Sequence, residues 1–288
     1  MTSVMIFGAS GMLGHKMVQV MDKNNLHVIG TVRSIVNQKD FLKRYEILGG
    51  VNVDDFNFVE NAIRTTEPDF IVNCVGIVKQ LPEANDPIKS HTVNSVFPHQ
   101  LGTYCESNGI KMIHISTDCV FDGKKGMYKE TDVPNATDIY GRTKFTGEVS
   151  HPNLTLRTSI IGRELGSKNG LLEWFLSQKG KTIQGYKNAL FSGVTTLELS
   201  HLVIEIIKNH EELSGLYQVA STPISKYDLL VKLNETFKNN TIIQEFYGET
   251  SDRTLNGWKL RKAIDYMAPS WDSMIRLLKI DDVAYEVK

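Results

Sequence analysis

The sequence predicts an α/β fold in which a parallel β-sheet is covered by helices on both faces. Short apolar runs alternate with amphipathic stretches through the first half of the 288 residues, which is the rhythm of βαβ units. The runs are apolar throughout, as in strands that are buried on both faces. A glycine-rich turn at residues 8–14 joins the first run to the first helix. Because crossovers between parallel strands are right-handed, these features predict a Rossmann-type, doubly wound sheet.

The elements of this sheet follow in order from local patterns. Residues 4–7 form an apolar strand, residues 12–21 a helix, and residues 27–32 the next strand. Residues 58–65 have a helical pattern, which Pro68 ends because proline cannot continue a helix. Further apolar strands are predicted at residues 70–75, 112–116 and 155–158.

The pattern changes beyond residue 160, where strands become fewer and helical stretches longer. We expect a smaller, mostly helical C-terminal substrate lobe that covers the ligand edge of the sheet, with helices at residues 171–178, 197–209, 226–237 and 270–278. Residues 215–220 predict a late strand that returns to the main sheet. The predicted division is a Rossmann domain at residues 1–160, to which residues 190–220 return, and a lobe formed by residues 161–189 and 221–288.

Composition excludes several classes of protein. Hydrophobic residues make up 41% and charged residues 23% of the chain, so a disordered or fibrous protein is excluded. The 32 basic and 33 acidic residues give a net charge of −1, which predicts neither nucleic-acid binding nor attraction to an anionic membrane. No apolar run approaches the roughly 20 residues of a membrane span.

The cysteines point to a reducing compartment. Cys74, Cys105 and Cys119 are an odd, sparse set without a C-x-x-C pair, so neither a disulfide framework nor a zinc site is predicted, and no other metal site is expected. The N-terminal apolar run is broken by glycines and has no basic stretch before it, unlike a signal peptide. We therefore expect a cytoplasmic protein.

The glycine turn predicts a dinucleotide-binding site. Its spacing is G-x-x-G-x-x-G, in the strand–turn–helix context that such a fingerprint requires. The glycines allow a tight turn, a close approach to a diphosphate and close helix packing, while the helix N-terminus offers free N–H groups. The alternative, a glycine turn without a ligand, is the less favoured interpretation. The predicted cofactor contacts here are Gly8, Ser10, Gly11, Met12, Leu13 and Gly14.

The second predicted strand favours NADP(H) over NAD(H). NAD-binding proteins usually place an acidic residue at its end for the ribose 2′-hydroxyl. Here the strand ends with Arg33 and Ser34, which suit a 2′-phosphate. A solvated surface arginine is the alternative, and NAD(H) stays open as the cofactor. We also expect cofactor contacts from Asn52 and from the end of a later strand, at Cys74, Val75 and Gly76.

A catalytic group is predicted from three residues. Tyr140 and Lys144 are four apart, so a helix would place them on one face. A lysine ammonium beside a phenol lowers the phenol pKa and makes it an acid or base near neutral pH. Alone this pair is frequent by chance. Thr117, at the end of an apolar strand and so at the ligand edge of the sheet, adds weight to it.

Together these motifs resemble those of the extended short-chain dehydrogenase/reductases, within them the dTDP-4-dehydrorhamnose reductase-like group. The resemblance rests on residues 8–14, 73–76, 94, 116–123, 140–144 and 156–159, and it weakens beyond residue 160. It implies that Thr117, Tyr140 and Lys144 form the catalytic triad, that Tyr140 and Lys144 also contact the cofactor, and that Ser116 supplies a second hydroxyl. Many members are dimers, so a homodimer is one possible assembly.

The sequence departs from the rhamnose-forming pattern on the substrate side. Cys119 replaces the usual tyrosine after Ser-Thr-Asp, and residues 160–162 lack an expected aromatic residue. The resemblance therefore implies a nucleotide-sugar 4-ketoreductase more firmly than it implies a substrate. A UDP-linked 4-keto-6-deoxy-N-acetylhexosamine, as in the UDP-N-acetylquinovosamine-forming type, is favoured over dTDP-4-dehydrorhamnose. The residues expected to contact the sugar nucleotide are Ser116, Asp118, Cys119, Val120, Phe191 and Arg253, with Arg163 as a second cation for the diphosphate.

Two alternatives stay open. A sugar-nucleotide epimerase or 4,6-dehydratase would share the fold and retain NAD, but a dehydratase needs a glutamate where this chain has Cys119. A non-catalytic NADP-binding regulatory subunit is known for a relative of this group. Such proteins often lose catalytic residues, whereas Thr117, Tyr140 and Lys144 are all present. The enzyme is therefore the favoured interpretation.

Overall fold

The computed structural model describes residues 1–35, 40–248 and 250–285. Its strands are β1 (Ser3–Phe7), β2 (His27–Thr31), β3 (Glu46–Leu48), β4 (Phe70–Asn73), β5 (Lys111–Thr117), β6 (Leu154–Thr158), β7 (Ile160–Ile161), β8 (Thr182–Tyr186), β9 (Ala189–Phe191), β10 (Val194–Thr195), β11 (Gly215–Gln218), β12 (Ile224–Ser225), β13 (Ile242–Phe246) and β14 (Ser251–Asp252). Its α-helices are α1 (Met12–Asp22), α2 (Phe56–Thr66), α3 (Pro87–His91), α4 (Phe97–Ser107), α5 (Ile139–Thr146), α6 (Leu171–Leu176), α7 (Thr196–Asn209), α8 (Lys226–Phe237), α9 (Trp258–Ile264) and α10 (Trp271–Asp281).

Seven strands form one parallel sheet in the order β11-β6-β5-β4-β1-β2-β3. The predicted α/β class and doubly wound sheet are therefore confirmed. The order reverses on either side of β1, which creates the crevice at the carboxyl ends of the strands where such sheets bind ligands. The sequence analysis missed β3, a three-residue edge strand that is too short to give a periodic signal.

The register brings the predicted site segments to one edge of the sheet. Phe7 of β1 pairs with Asn73 of β4, and Asn73 pairs with His114 of β5. The glycine turn and residues 74–76 therefore leave the sheet side by side. Strand β5 continues three residues farther, to Thr117.

Alternation along β1 divides the apolar core between the two faces of the sheet. Val4 and Ile6 enter one cluster, which includes residues of α1 and α7, whereas Met5 and Phe7 enter the other, which includes residues of α2 and α4. Successive side chains of a strand point to opposite faces, so an all-apolar strand requires helices on both sides.

The C-terminal region is richer in strands than predicted. Strand β11 returns to the sheet beside β6, as the late-strand prediction requires. The remaining segments pair locally: β8 with β13, β7 with β10, and β9 with both β12 and β14. The first apolar cluster also contains residues of α8 and α10. Both regions therefore share one core, and the proposed domain boundaries remain a prediction.

Two searches of the structure gave negative results. No helix within residues 1–35, 40–248 and 250–285 is both long and apolar enough to cross a bilayer. Over the same ranges, no group of three or more histidine, cysteine, aspartate or glutamate side chains is arranged to hold a metal ion. The thiols of Cys74, Cys105 and Cys119 are free.

Candidate active site

The glycine turn is built so that side chains are excluded at two positions. Gly8 has a φ of +85°, in the left-handed region that favours glycine, and the Gly11 amide donates to its carbonyl at 3.0 Å. A Cβ on Gly14 would lie 2.1 Å from the Gly8 carbonyl oxygen. The turn therefore stays tight, and α1 begins directly against it.

A cavity of about 430 Å³ opens beside this turn. Of the predicted cofactor contacts, those that line it are Gly8, Ser10, Gly11, Arg33, Ser34, Asn52, Cys74, Val75 and Gly76. Met12, Leu13 and Gly14 instead form the first turn of α1, where Leu13 is buried in the core. The cavity thus combines the ends of β1, β2 and β4, as a dinucleotide site in this fold requires.

The sequence analysis missed several lining residues. Asp54 follows β3, Lys89 lies on α3, and Leu165 comes from the C-terminal region. The sequence could have indicated Asp54, because it is an acidic residue two positions after the predicted contact Asn52. Leu165 gave none, because only the tertiary fold brings residues 165 and 8–11 together.

Thr117 and Tyr140 meet at the end of β5. The Thr117 hydroxyl accepts from the Cys119 amide at 3.1 Å and lies 3.2 Å from an Asp118 carboxylate oxygen. The same hydroxyl lies close enough to the Tyr140 hydroxyl to lower the pKa of that phenol. Tyr140 is in the first turn of α5, whose N-terminal amide at Gly141 is capped by Asp138 at 2.9 Å.

Lys144 is buried one helical turn after Tyr140. Its Nζ donates to the Ile115 carbonyl at 2.7 Å and lies 3.4 Å from Nε2 of His114. Burial lowers the pKa of Lys144 to about 8, while the charge of Glu148 opposes that shift. Lys144 also interacts electrostatically with Cys74, a residue that lines the cavity. The predicted triad and the predicted cofactor site are therefore adjacent.

Comparison with known proteins assigns the family. A family model described as the RmlD substrate binding domain matches residues 1–241. The chain belongs to the RmlD substrate-binding domain family. Among solved structures, a hypothetical dTDP-4-dehydrorhamnose reductase from Sulfolobus tokodaii is similar to this chain with a TM-score of 0.77 and 26% sequence identity. The match covers 95% of this chain and 99% of that one. A Bacillus anthracis dTDP-4-dehydrorhamnose reductase in complex with NADP has a TM-score of 0.78 at 19% identity, covering 98% and 100%.

Two sequence relatives carry different names. A probable low-salt glycan biosynthesis reductase, Agl14 of Haloferax volcanii, is 27% identical over 227 residues, covering 75% of this chain and 73% of the relative. Methionine adenosyltransferase 2 subunit beta of Bos taurus is 32% identical over 145 residues, covering 50% of this chain. The chain spans only 41% of the length of that bovine relative.

Burial dominates the pKa of Tyr140. It raises that pKa, and the neighbouring Cys119, Asp118 and Asp138 raise it further, while the Thr117 hydroxyl opposes them. The charge of Lys144 is not among the causes of this shift, so the predicted lowering of the Tyr140 pKa by Lys144 stays a prediction. The Lys144 ammonium donates to a backbone carbonyl of β5. Because its pKa is raised, the phenol keeps its proton at neutral pH.

Ser116 does not face the substrate side as expected. Its hydroxyl donates to Glu148 at 2.7 Å, and Glu148 accepts two hydrogen bonds from the buried Arg157, each of 2.7 Å. Neighbouring strand residues point to opposite faces, so Ser116 and Thr117 diverge. Ser116, Glu148 and Arg157 form a buried ionic cluster under α5, and the sequence analysis missed the last two members.

The three residues that follow Thr117 have different neighbours. Asp118 is buried, which raises its carboxyl pKa, and the charge of Arg253 opposes this. Burial likewise raises the pKa of the Cys119 thiol to about 12, so the thiol keeps its proton at neutral pH. Val120 is completely buried in a small cluster with Phe121, Tyr128 and Leu255. It packs in the core and does not line the site, contrary to expectation.

Two cations lie near Tyr140, and one of them was not predicted. Arg253 donates from Nε to the Phe121 carbonyl at 2.9 Å and interacts electrostatically with Asp118 and Asp138. Lys79, in the segment after β4, forms a 2.7 Å ion pair with Asp138, and its Nζ lies 5.8 Å from the centre of the Tyr140 ring. The sequence around Lys79 has no motif that marks it.

Phe191 and Arg163 differ from their predicted settings. Phe191 is the last residue of β9 rather than a loop residue, and its ring packs 5.4 Å from that of Trp271. Arg163 forms ion pairs with Glu173 and Asp282. Its guanidinium is thus neutralised within the protein, which disfavours Arg163 as a diphosphate ligand.

Proposed function

We propose that this protein reduces the C4 keto group of a nucleotide-activated 4-keto-6-deoxy sugar with NADPH. The observation that carries the proposal is that Thr117 at the end of β5 meets Tyr140 and the buried Lys144 of α5 beside the glycine-turn cavity. Membership of the RmlD family and the likeness to a glycan biosynthesis reductase support it. The product would be a precursor of a surface polysaccharide or glycan.

The cavity fits a dinucleotide phosphate. Gly14 admits no Cβ beside the turn, so a diphosphate can approach the free amides at the start of α1. Arg33 and Ser34 line the cavity at the end of β2, where an acidic residue would instead favour NAD. When bound, NADPH supplies the hydride that the carbonyl carbon accepts. NADH remains the weaker alternative.

Tyr140 is the proposed proton donor. Reduction turns a carbonyl oxygen into a hydroxyl, so that oxygen must gain a proton while its carbon gains the hydride. A phenol that stays protonated at neutral pH suits this direction of reaction. The Thr117 hydroxyl, already in contact with Tyr140, orients the same oxygen by a hydrogen bond.

Lys144 is proposed to stabilise the phenolate that remains after proton transfer. Its ammonium is one helical turn away on α5, and the charge of Glu148 favours its protonated form. Solvent then returns a proton to Tyr140. Glu148, Arg157 and Ser116 act through Lys144 and are positioning residues.

Arg253 is the proposed cation for the sugar diphosphate, because Lys79 is already paired with Asp138. Cys119 and Phe191 are kept as candidate sugar contacts, with Asp118 near both hydroxyls. A UDP-linked N-acetylhexosamine is our favoured substrate because Cys119 departs from the rhamnose-type pattern. A cytoplasmic setting remains our expectation for three free thiols.

A regulatory subunit is the second candidate function. The match to methionine adenosyltransferase 2 subunit beta favours it, since that name denotes a subunit of another enzyme. The assembled Thr117, Tyr140 and Lys144 favour an enzyme instead. A dehydratase is disfavoured because Cys119 stands where it needs glutamate, and Arg33 disfavours an epimerase or dehydratase that retains NAD.

A coupled assay tests the proposal. One 4,6-dehydratase generates UDP-4-keto-6-deoxy-GlcNAc from UDP-GlcNAc. In parallel, a second dehydratase generates dTDP-4-keto-6-deoxyglucose from dTDP-glucose, and a 3,5-epimerase converts that sugar into dTDP-4-dehydrorhamnose. The protein and NADPH are then added, and loss of nicotinamide absorbance is followed, with NADH as the cofactor control.

We expect oxidation of NADPH with the UDP-linked sugar, and slower oxidation or none with the dTDP-linked sugar. Oxidation of NADPH with a dTDP-linked sugar alone would correct the substrate but keep the reaction. Binding of NADPH without oxidation by either sugar would favour the regulatory subunit. A tightly retained, oxidised NAD in the purified protein would favour an epimerase.

A further inference from the structure

The C-terminal end of the described chain docks against the glycine-turn helix. We name residues 281–285 the C-terminal strap; they comprise the last residue of α10 and the 3₁₀ helix Asp282–Tyr285. Asp281 forms an ion pair with Lys16 of α1, and Asp282 forms one with Arg163. Lys16 is completely buried, so its charge depends on this partner. The strap is thus part of the fold rather than a loose end.

Tyr285 is enclosed on several sides. Its ring stacks on Phe41 at 5.3 Å between centres, with 16° between the ring planes. The Lys16 ammonium and the Arg163 guanidinium lie 4.7 Å and 5.0 Å from the ring centre. Its hydroxyl is 2.7 Å from Nε2 of His15. One side chain therefore joins α1, the segment after β2 and the C-terminal region.

His15 transmits this contact to the glycine turn. Its Nδ1 lies 2.7 Å from the Gly11 carbonyl oxygen, which can only accept, so Nδ1 must carry a hydrogen. Burial lowers the pKa of His15 to about 4, which keeps the ring neutral at physiological pH. Nε2 is then the acceptor for the Tyr285 hydroxyl. The Tyr285 hydroxyl therefore donates to His15, and His15 donates to the Gly11 carbonyl.

The strap reaches the cavity lining by three routes. Gly11 lines the cavity and is bonded to His15; Leu42 lines it and adjoins Phe41; Leu165 lines it two residues after Arg163. Tyr285 contacts His15 and Phe41, and Asp282 contacts Arg163. None of the strap's described side chains lines the cavity itself.

We propose that the C-terminal strap positions the dinucleotide cavity, with Tyr285 and His15 as positioning residues for the Gly11 carbonyl. The inference rests on the proposed function only for the identity of the ligand. Docking of the strap and binding of the dinucleotide are then coupled, and each strengthens the other by the same factor. The cofactor would therefore protect a segment more than 260 residues from the turn in sequence.

The first test uses the ligand-free full-length protein. Tyr285→Phe keeps the ring but removes the hydroxyl, which leaves the buried Nε2 of His15 without its donor. Hydrogen–deuterium exchange is measured on peptides that cover residues 8–16. Tyr247→Phe is the matched control, because Tyr247 is exposed and, within the described part of the chain, its hydroxyl donates to Glu245 of the nearby β13.

We expect exchange in residues 8–16 to become about 3- to 10-fold faster in Tyr285→Phe and to stay unchanged in Tyr247→Phe. Equal exchange in Tyr285→Phe and in the wild type would overturn the positioning role. Should Tyr285→Phe not fold, the wild-type protein alone still decides through the second test.

The second test adds saturating NADP⁺ to the wild type and follows exchange in residues 279–285. Protection of the strap is expected, together with a Kd for NADP⁺ that is about 3- to 10-fold weaker in Tyr285→Phe. Bound NADP⁺ without any strap protection would contradict the coupling. Failure of the keto-sugar assay would remove the proposed reaction but leave both exchange readouts valid, so the two failures are distinguishable.

Discussion

Burial acts in opposite directions on the two ionisable side chains of α5. It raises the pKa of the Tyr140 phenol and lowers the pKa of the Lys144 ammonium to about 8. In both cases the charged form loses its water, so the neutral form is favoured. Near pH 7 both groups nevertheless hold their protons, which is the state that a proton donor with a cationic neighbour needs.

The first prediction at the scale of single residues concerns how the stability of the fold depends on pH. An unfolded lysine keeps its proton to about pH 10.5, whereas folded Lys144 releases it near pH 8. Between these values the unfolded state binds more protons, so the stability of the wild type rises with pH. Relative to Lys144→Met, the wild type should gain roughly 2 kcal/mol between pH 8 and pH 10. Urea unfolding at both pH values measures this gain, and parallel changes in the two proteins would refute it.

A second prediction concerns cofactor choice. Arg33→Ala should weaken NADPH binding by about 10- to 100-fold and change NADH binding little, because only NADPH has a 2′-phosphate for the guanidinium. Titration of both nucleotides gives the two Kd values. Arg64→Ala, on the exposed face of α2, is the control. An unchanged NADPH:NADH ratio in Arg33→Ala would make Arg33 an ordinary surface residue.

At the scale of elements, the buried ionic cluster lies next to α5. Arg157 is 2% exposed, and its guanidinium lies 5.2 Å from the centre of the Phe121 ring. Glu148 is its ionic partner. Glu148→Gln should therefore destabilise the fold by about 3 kcal/mol, since it leaves a buried cation uncompensated.

Chemical unfolding measures this cost. Asp40→Asn breaks the fully exposed pair with Lys43 and should leave the midpoint unchanged, because exposed pairs contribute little. A Glu148→Gln midpoint equal to that of Asp40→Asn would show that Arg157 finds another partner.

How much was predictable depends on whether an element is specified locally. The glycine turn was predictable because spacing, neighbouring strand and following helix all lie within residues 4–21. The direction of Ser116 was not, since its acceptor Glu148 is 32 residues away. Val120 and Phe191 failed for the same reason: their partners Leu255 and Trp271 belong to distant elements.

At the scale of the whole molecule, the parallel sheet aligns distant segments along one edge. The ends of β1 and β4 carry predicted cofactor contacts, the end of β5 carries Thr117, and α5 adds Tyr140 and Lys144. Leu165 lines the cavity from the other region of the chain, and the C-terminal strap contacts α1 through Lys16 and His15. No periodic pattern marks such contacts, because they depend on how the two regions pack.

The catalytic claim is tested most directly by kcat of Tyr140→Phe in the coupled keto-sugar assay, alongside its Kd for NADPH. Phenylalanine fills the same space but has no proton to donate. We predict that kcat falls by about 10²- to 10⁴-fold while the Kd stays within about twofold of the wild type. A Tyr140→Phe variant that turns over the keto sugar at the wild-type rate would contradict the assignment of Tyr140 as proton donor.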